Sequence, residues 1–214
     1  MDHRRPWNAL SRSRIPFIPL LVIVVLAAAV GASAQQDVFC ICLDPLNPAG
    51  CGGNAAIPVG VPTSIYLCLL SPSGSEVMGW EARVTDSRQD GDMIGEWYMF
   101  GLDADMDPYD YMVVPEPAPS HPNAANVVVL GTMWVRVLDE SAPIEFFVGP
   151  IPGSTSFPQG TPGYVHTMGF NTPATICSGD FDEPVFGING IVAAEEGAWG
   201  AIKGSYLAGP AAGR

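Results

Sequence analysis

Apolar and polar residues alternate along most of the chain, in segments that are short. In VMGWEARVT, residues 77–85, the even positions from Met78 to Val84 are apolar, and the odd positions from Glu81 to Thr85 are polar. Successive side chains of a strand point to opposite faces, so this period of two predicts a strand with one face on a core and the other in water.

Eight further segments are short, rich in β-branched and aromatic residues, and bounded by glycine, proline, asparagine or aspartate. They are residues 38–44, 63–70, 94–101, 111–114, 126–138, 144–149, 164–168 and 185–191. About nine short strands separated by turns predict an all-β fold, a single antiparallel β-sandwich of two sheets. Gly131, inside the longest segment, predicts a bulge or bend at that point.

Residues 1–34 predict a signal peptide. Four arginines precede an apolar run that ends in Ala32-Ser33-Ala34, the small-x-small pattern after which signal peptidase cuts. An uncleaved anchor is the alternative, since about 18 apolar residues can span a bilayer. Cleavage is favoured, because prolines interrupt the run and small residues end it. We therefore expect a secreted or extracytoplasmic protein (periplasmic, cell-surface or extracellular) with no membrane attachment after cleavage.

The sandwich domain is predicted over residues 37–192, followed by a C-terminal tail over residues 193–214. In the tail, Trp199, Ile202 and Tyr206 recur at helical spacing, which predicts a short helix. Three glycines in the same segment weaken the helix, so a frayed tail is the alternative.

The charge of the chain limits its partners. It carries 9 basic and 22 acidic residues, a formal net charge of −13. Without residues 1–34 it keeps 5 basic and 21 acidic residues, a net charge of −16. Such a surface repels phosphate backbones and anionic lipid headgroups, which excludes nucleic acid as a partner.

Five cysteines are disulfide candidates in an exported chain, with one left over: Cys40, Cys42, Cys51, Cys68 and Cys177. Cys40 and Cys42 point the same way on one predicted strand, so we do not expect a bond between them. The remaining connectivities stay open. The closely paired ligands of a zinc site, such as C-x-x-C, are absent from the sequence.

The segments VFCICLDP, VPTSIYLCLL, MGWEARV, ANVVVLGTMWV, PIEFFVGP and EPVFGING follow one another between residues 37 and 192. In this order they resemble a group of uncharacterised secreted bacterial proteins whose domain is a cohesin-type or carbohydrate-module-type β-sandwich. The resemblance implies a cohesin-like or jelly-roll-like fold. Cohesins bind dockerin partners through one sheet face, but no dockerin-contact motif is matched here, so no binding residue is carried over.

The stretch GLDADMDPYD contains Asp103, Asp105, Asp107 and Asp110. Its D-x-D-x-D start is that of an EF-hand loop, but proline stands at the sixth position and valine at the twelfth, where that loop needs glycine and glutamate. An EF-hand is therefore excluded. A looser calcium cage of these four aspartates remains as the single cofactor candidate, and a solvated acidic turn is the favoured interpretation.

The sequence predicts no catalytic set. It has no G-x-S-x-G elbow and no HExxH motif. His121 lies in a proline-rich loop, where we expect it to be solvated, and His166 lies on a predicted strand, where a structural role is favoured over a general base. A small glycosidase would need two carboxylates facing each other across a cleft, and Glu81 and Glu96 stand on predicted strands. We predict that the protein is not an enzyme.

Four aromatic residues are candidates for ligand binding: Trp97, Tyr98, Tyr109 and Tyr111. In EWYMF both faces of the strand carry large apolar groups, so one set must lie outside the core or under a loop. Exposed rings on a sheet can stack on sugars. A sandwich edge covered by the loop of residues 115–126 is the alternative, and it is favoured.

The sequence therefore favours a secreted, non-catalytic β-sandwich module with a binding, adhesion or scaffold role at the cell surface. Its expected partner is a protein or a glycan. A carbohydrate-binding module is the first alternative, and a small glycoside hydrolase is the second.

Overall fold

The computed structural model describes residues 36–167 and 169–190. The signal peptide predicted over residues 1–34 and the tail predicted over residues 193–214 lie outside these described residues. Within them, no helix is long and apolar enough to cross a membrane.

The described residues form fourteen strands and one short 3-10 turn at Pro48–Gly50. The strands are β1 (Val38–Cys42), β2 (Gly53–Ala55), β3 (Thr63–Leu70), β4 (Gly79–Asp86), β5 (Met93–Ile94), β6 (Trp97–Met99), β7 (Leu102–Asp103), β8 (Asp110–Val114), β9 (Val127–Val137), β10 (Ile144–Gly149), β11 (Gly163–His166), β12 (Phe170–Pro173), β13 (Thr175–Ile176) and β14 (Phe186–Ile188).

The strands are arranged in two sheets, which confirms the predicted sandwich. The first sheet has the order β13-β1-β3-β9-β5, with β6 also paired to β9. The second has the order β12-β11-β4-β10-β14-β2, with β8 paired to β4 and β7 paired to β8. Two short pairings at the sheet edges, β1 with β13 and β14 with β2, are parallel, and the other pairings are antiparallel. The strands outnumber the predicted nine because residues 94–101 break into β5 and β6, and because several two- to four-residue strands carry no pattern of their own.

The core lies between the two sheets and receives side chains from both. Phe39, Ile65 and Leu67 come from the first sheet. Phe146 and Tyr164 come from the second, and all five are fully buried. Burial of a large apolar side chain contributes about 1.5–3 kcal/mol, so this shared layer is the main source of stability.

Strand β9 changes the face that it buries partway along its length. Leu67 of β3 pairs with Gly131, whereas the next residue, Cys68, pairs with Val129. Leu130 is therefore an extra residue, which confirms the predicted bulge. A Cβ at Gly131 would stand 2.5 Å from the sulfur of Met99 on β6. A larger residue here would displace the Met99 side chain and crowd the carbonyl oxygen of Tyr98, which would lie 3.0 Å from its Cβ.

Strand β4 differs from its prediction at two positions. Glu81, expected in water, is only 2% exposed, because the loop after β10 covers it and the hydroxyl of Ser154 donates a hydrogen bond to its carboxylate. Met78, expected on the core face, is exposed just before the strand begins. The alternation alone could not show that a loop folds over the polar face.

Two disulfide bonds fasten the first sheet to neighbouring loops. Cys40 on β1 is bonded to Cys177, which follows β13, and Cys42 is bonded to Cys51. Cys68 is a buried free thiol that pairs in register with Cys40 across β1 and β3. The expectation of two bridges with one cysteine left over is confirmed, and Cys40 and Cys42 are not bonded to each other.

Candidate functional site

The four aromatic residues predicted to bind a ligand lie on two different surfaces. Trp97 pairs in register with the buried Met133 and packs against the core. Tyr98, the next residue, pairs with Thr132 on the outer face of the first sheet. Adjacent residues of a strand face opposite ways, so the rings of Trp97 and Tyr98 lie on opposite sides of β6. Tyr109 and Tyr111 lie on the same side as Trp97.

We call the first surface the aromatic face, formed by Ile94, Tyr98, Phe100, Trp134 and Arg136. Tyr98 pairs with Thr132 and Ile94 pairs with Arg136, so all of these side chains share the outer side of β9 with Trp134. Trp134 is 70% exposed, Tyr98 69% and Ile94 60%. The Tyr98 and Phe100 rings meet edge to face with their centroids 5.9 Å apart.

Arg136 gives the aromatic face its charge. Its side chain is exposed, and no ion-pair partner for it occurs among the described residues. Arg136 thus places one positive charge beside the exposed rings, while Asp90 and Glu96 line the depression that Ile94 and Trp134 border.

Trp134 was not among the residues predicted from the sequence to bind a ligand. The signal was present, because Trp134 lies between Thr132 and Arg136 at the alternate positions that point away from the core. A tryptophan at a solvent-facing position of an alternating strand is unusual. Its direction could not be read from the alternation alone, because the bulge exchanges the odd and even positions that face the core.

We call the second surface the acidic cleft, which is lined by Asp86, Arg88, Glu96, Trp97, Tyr109 and Tyr111. The acidic cleft has a volume of about 320 Å³. It adjoins a wider depression of about 740 Å³ that shares Asp86, Arg88, Glu96 and Tyr109 and reaches Trp134. Both volumes fall within the range of small-molecule sites.

Arg88 is held in place in the lining of the acidic cleft. Its Nε lies 3.0 Å from Oδ1 of Asp86, and its guanidinium donates a 2.7 Å hydrogen bond to the carbonyl of Gly95. The Asp86 side chain is only 8% exposed. Burial raises the pKa of the Asp86 carboxyl, and the charge of Arg88 offsets part of that rise.

The two tyrosines of the acidic cleft are also fixed by their neighbours. The guanidinium of Arg83 stands 5.8 Å from the centre of the Tyr109 ring, and it also pairs with Asp110 at 2.6 Å. The hydroxyl of Tyr111 donates to the carbonyl of Pro108 at 3.1 Å. Burial, with a smaller effect from Asp103, raises the pKa of Tyr111 to about 12, so its hydroxyl stays neutral.

Of the four aspartates of the candidate calcium site, three accept hydrogen bonds from backbone amides and one forms an ion pair with an arginine. Asp103, Asp105 and Asp107 each accept a hydrogen bond from the amide two residues later, at 2.8–3.1 Å. Asp110 is buried and paired with Arg83. Nowhere in residues 36–167 or 169–190 do three or more acidic, histidine or cysteine side chains form a group suited to a metal ion. Calcium binding stays a prediction.

The residues considered for catalysis lie apart. His121 contacts the carbonyl of Ser75, and the His166 ring packs between the rings of Tyr164 and Phe170. In the described structure, neither histidine hydrogen-bonds to a serine hydroxyl or a thiol. Glu81 lines a shallow depression near Phe157, whereas Glu96 lines the acidic cleft.

Comparison with known proteins gives structural similarities alone. No protein-family model matches the chain, and no curated protein matches it in sequence. The sixth cohesin of scaffoldin B from Acetivibrio cellulolyticus, solved in complex with a mutant Cel5 dockerin, has a TM-score of 0.42 and 11% identity, covering 72% of this chain and 99% of its own. The second type II cohesin module of the adaptor scaffoldin ScaA of that organism has a TM-score of 0.42 and 8% identity, covering 78% and 100%. Such values assign neither a family nor a function to the chain.

Proposed function

We propose that the protein is an exported, non-catalytic binding module that contacts a protein partner through the aromatic face. The observation that carries the proposal is the exposure of Ile94, Tyr98 and Trp134 side by side on a regular sheet surface. Contiguous exposed apolar side chains of this size are uncommon on isolated soluble domains and are typical of interaction sites.

The chemistry of the aromatic face defines the partner. Tryptophan, tyrosine and arginine are the residues that contribute most to protein interfaces, because they bury large flat surfaces or form charge-assisted hydrogen bonds. Trp134, Tyr98 and Arg136 supply one of each. The complementary surface is therefore apolar at its centre and carries a carboxylate opposite Arg136.

Two features support a site of action outside the cytoplasm. The N-terminal sequence has the charge, apolar run and Ala32-Ser33-Ala34 end of a signal peptide. The Cys40–Cys177 and Cys42–Cys51 bonds are stable in an oxidising compartment. We place the module at the cell surface, in an adhesion or scaffold role.

A binding role also agrees with the structural contacts of two buried carboxylates. Glu81 is occupied by the Ser154 hydroxyl, and Asp110 is paired with Arg83. These groups hold loops and strands together.

The test is a binding measurement with variants of the aromatic face. The full-length expression product, with a photo-crosslinking residue at Ser64 beside Trp134, is exposed to surface and secreted proteins of the source cells. Captured proteins are purified and titrated individually. We expect Trp134→Ala and Tyr98→Ala each to weaken binding by about tenfold or more. Arg136→Glu should also weaken binding, and the loss of affinity should be larger at low salt than at high salt.

Met112→Ala is the matched control, because Met112 is an exposed apolar residue on the second sheet. It should leave the affinity unchanged. The proposal is wrong if the captured proteins bind the aromatic-face variants as well as the original chain, or if Met112→Ala weakens binding equally.

A further inference from the structure

We propose that the acidic cleft is a second binding site and that its ligand is a neutral saccharide. The cleft adjoins the aromatic face through the wider depression, which Ile94 and Trp134 also line, but its own rings lie on the other side of β6 from Tyr98. A ligand in the cleft contacts Trp97, Tyr109 and Tyr111, none of which belongs to the aromatic face.

The rings of the cleft are held ready for stacking. Tyr109 is exposed and lies against the Arg83 guanidinium, whose position is fixed by Asp110. Tyr111 is half-buried and held by its hydrogen bond to Pro108. Rings that are already fixed lose little conformational freedom when a flat apolar surface, such as one side of a pyranose, covers them.

The polar groups of the cleft match hydroxyl groups. Asp86 and Glu96 are acceptors, and Arg88 is a donor in the same lining. A sugar hydroxyl both donates and accepts, so adjacent hydroxyls can satisfy a carboxylate and the guanidinium together. Arg88 cannot turn away to solvent without breaking its bonds to Asp86 and the Gly95 carbonyl.

The charges in and around the cleft disfavour an anionic ligand. Such a ligand meets Asp86 and Glu96 in the lining, Asp90 in the adjoining depression and a net charge of −13 overall. A cationic ligand such as a quaternary ammonium ion is attracted by the rings and the carboxylates and repelled by Arg88, so choline is the competing probe. A neutral ligand with many hydroxyl groups is repelled neither by the carboxylates nor by Arg88.

The test is a titration of the full-length expression product with defined oligosaccharides, followed by tryptophan fluorescence and calorimetry. The probes are neutral oligomers of glucose, xylose, mannose, galactose and N-acetylglucosamine, with uronic-acid oligomers and choline for comparison. We expect at least one neutral series to bind and to alter the fluorescence, with the uronic acids and choline silent.

Variants of the cleft distinguish specific binding from surface stickiness. Tyr109→Ala should weaken the neutral oligosaccharide by about tenfold, whereas Tyr109→Phe, which keeps the ring over Arg83, should stay within about threefold. Glu96→Gln, at an exposed side chain, should weaken binding severalfold without loss of folding. Tyr98→Ala should leave the affinity for the saccharide unchanged, although it weakens binding of the protein partner. Each proposal can therefore fail without the other.

Four outcomes would overturn the inference. The first is the absence of binding by every neutral series. The second is binding by the uronic acids or choline instead. The third is saccharide binding that Tyr109→Ala and Glu96→Gln both leave unchanged. Release of new reducing ends from a bound oligosaccharide would show a hydrolase rather than a binding site, and would overturn it as well.

Discussion

The hydroxyl of Tyr164 donates a 2.5 Å hydrogen bond to the carboxylate of Asp37, which lies 127 residues earlier in the chain. The same hydroxyl accepts from the amide of Gly74 and contacts the Ser73 hydroxyl. Asp37 precedes the first strand of one sheet, and Tyr164 lies on the other sheet. One buried phenol therefore joins the two layers at one end of the sandwich.

We predict that Tyr164→Phe lowers the free energy of unfolding by about 1–3 kcal/mol, because it leaves the Gly74 amide and the Asp37 carboxylate without their shared partner. Urea denaturation measures the loss, with Tyr98→Phe at an exposed ring as the control. Burial, and next the bond to Asp37, raise the pKa of Tyr164, so the original chain loses stability as the pH rises beyond about 10. The variant should lack this part of the loss. Equal stability of the two chains would contradict the prediction.

The two disulfide bonds should contribute unequally. Cys40–Cys177 spans 137 residues and Cys42–Cys51 spans 9. From the loop lengths, the chain-entropy model gives about 5 kcal/mol for the long bridge and about 3 kcal/mol for the short one. Urea unfolding of the double variant Cys40→Ala/Cys177→Ala, compared with Cys42→Ala/Cys51→Ala, measures the difference. A larger loss from the short bridge would show that local packing outweighs loop closure here.

Cys68 should not react with thiol reagents in the native protein. Burial raises the pKa of its thiol to about 12, so almost no thiolate forms at pH 8. A colorimetric thiol reagent should detect one thiol after unfolding in guanidinium and none before it. Because the folded pKa is above the unfolded one, the contribution of this thiol to stability is lost as the pH rises from about 9 toward 12.

The environment of Cys68 can be tested by two substitutions. Cys68→Ser buries a hydroxyl in an apolar cluster, and we expect it to cost about 1–3 kcal/mol more than Cys68→Ala. Thermal unfolding of the two variants gives the comparison. A serine variant that matches the alanine variant would indicate that a hydrogen-bond partner exists at this position.

The loss of stability from Arg88→Ala should grow with pH. Removing the guanidinium leaves the buried Asp86 without the charge that lowers its pKa, so this pKa rises further. The ionised carboxylate is then unfavourable in the folded state, whereas the protonated form is not. We expect a loss of about 1–2 kcal/mol at pH 7, reduced below pH 4. Arg136→Ala at an unpaired arginine is the control, and a loss that does not vary with pH would contradict this account.

The sequence predicted the parts of the fold that depend on local alternation. The two-sheet sandwich and the bulge near Gly131 are both confirmed, because strand periodicity and glycine punctuation act over a few residues. The burial of Glu81 was missed, since it depends on Ser154, which is 73 residues away in sequence.

The candidate site was predicted only in part. The sequence identified Trp97, Tyr109 and Tyr111 as ligand-binding candidates, and the structure brings them to one cleft. It did not identify Asp86 or Arg88, which meet the rings because the end of β4 and the turn after it fold against β6 and β8. Tyr98 was grouped with the same rings on account of its position in EWYMF, but adjacent strand residues face opposite ways.

The extra residue in β9 has a consequence for how the gene can change. Leu130 shifts the strand by one position, so that Met133 and Val135 enter the core and Trp134 and Arg136 face outward. Deletion of the Leu130 codon would make Val129 and Gly131 neighbours opposite Cys68 and Leu67, so the pairing from Thr132 onward and the outward direction of Trp134 and Arg136 would be kept. Descendants of this chain can therefore lose a residue at the bulge, whereas a single-codon deletion within residues 132–137 would turn the side chains on one side of the gap to the opposite face.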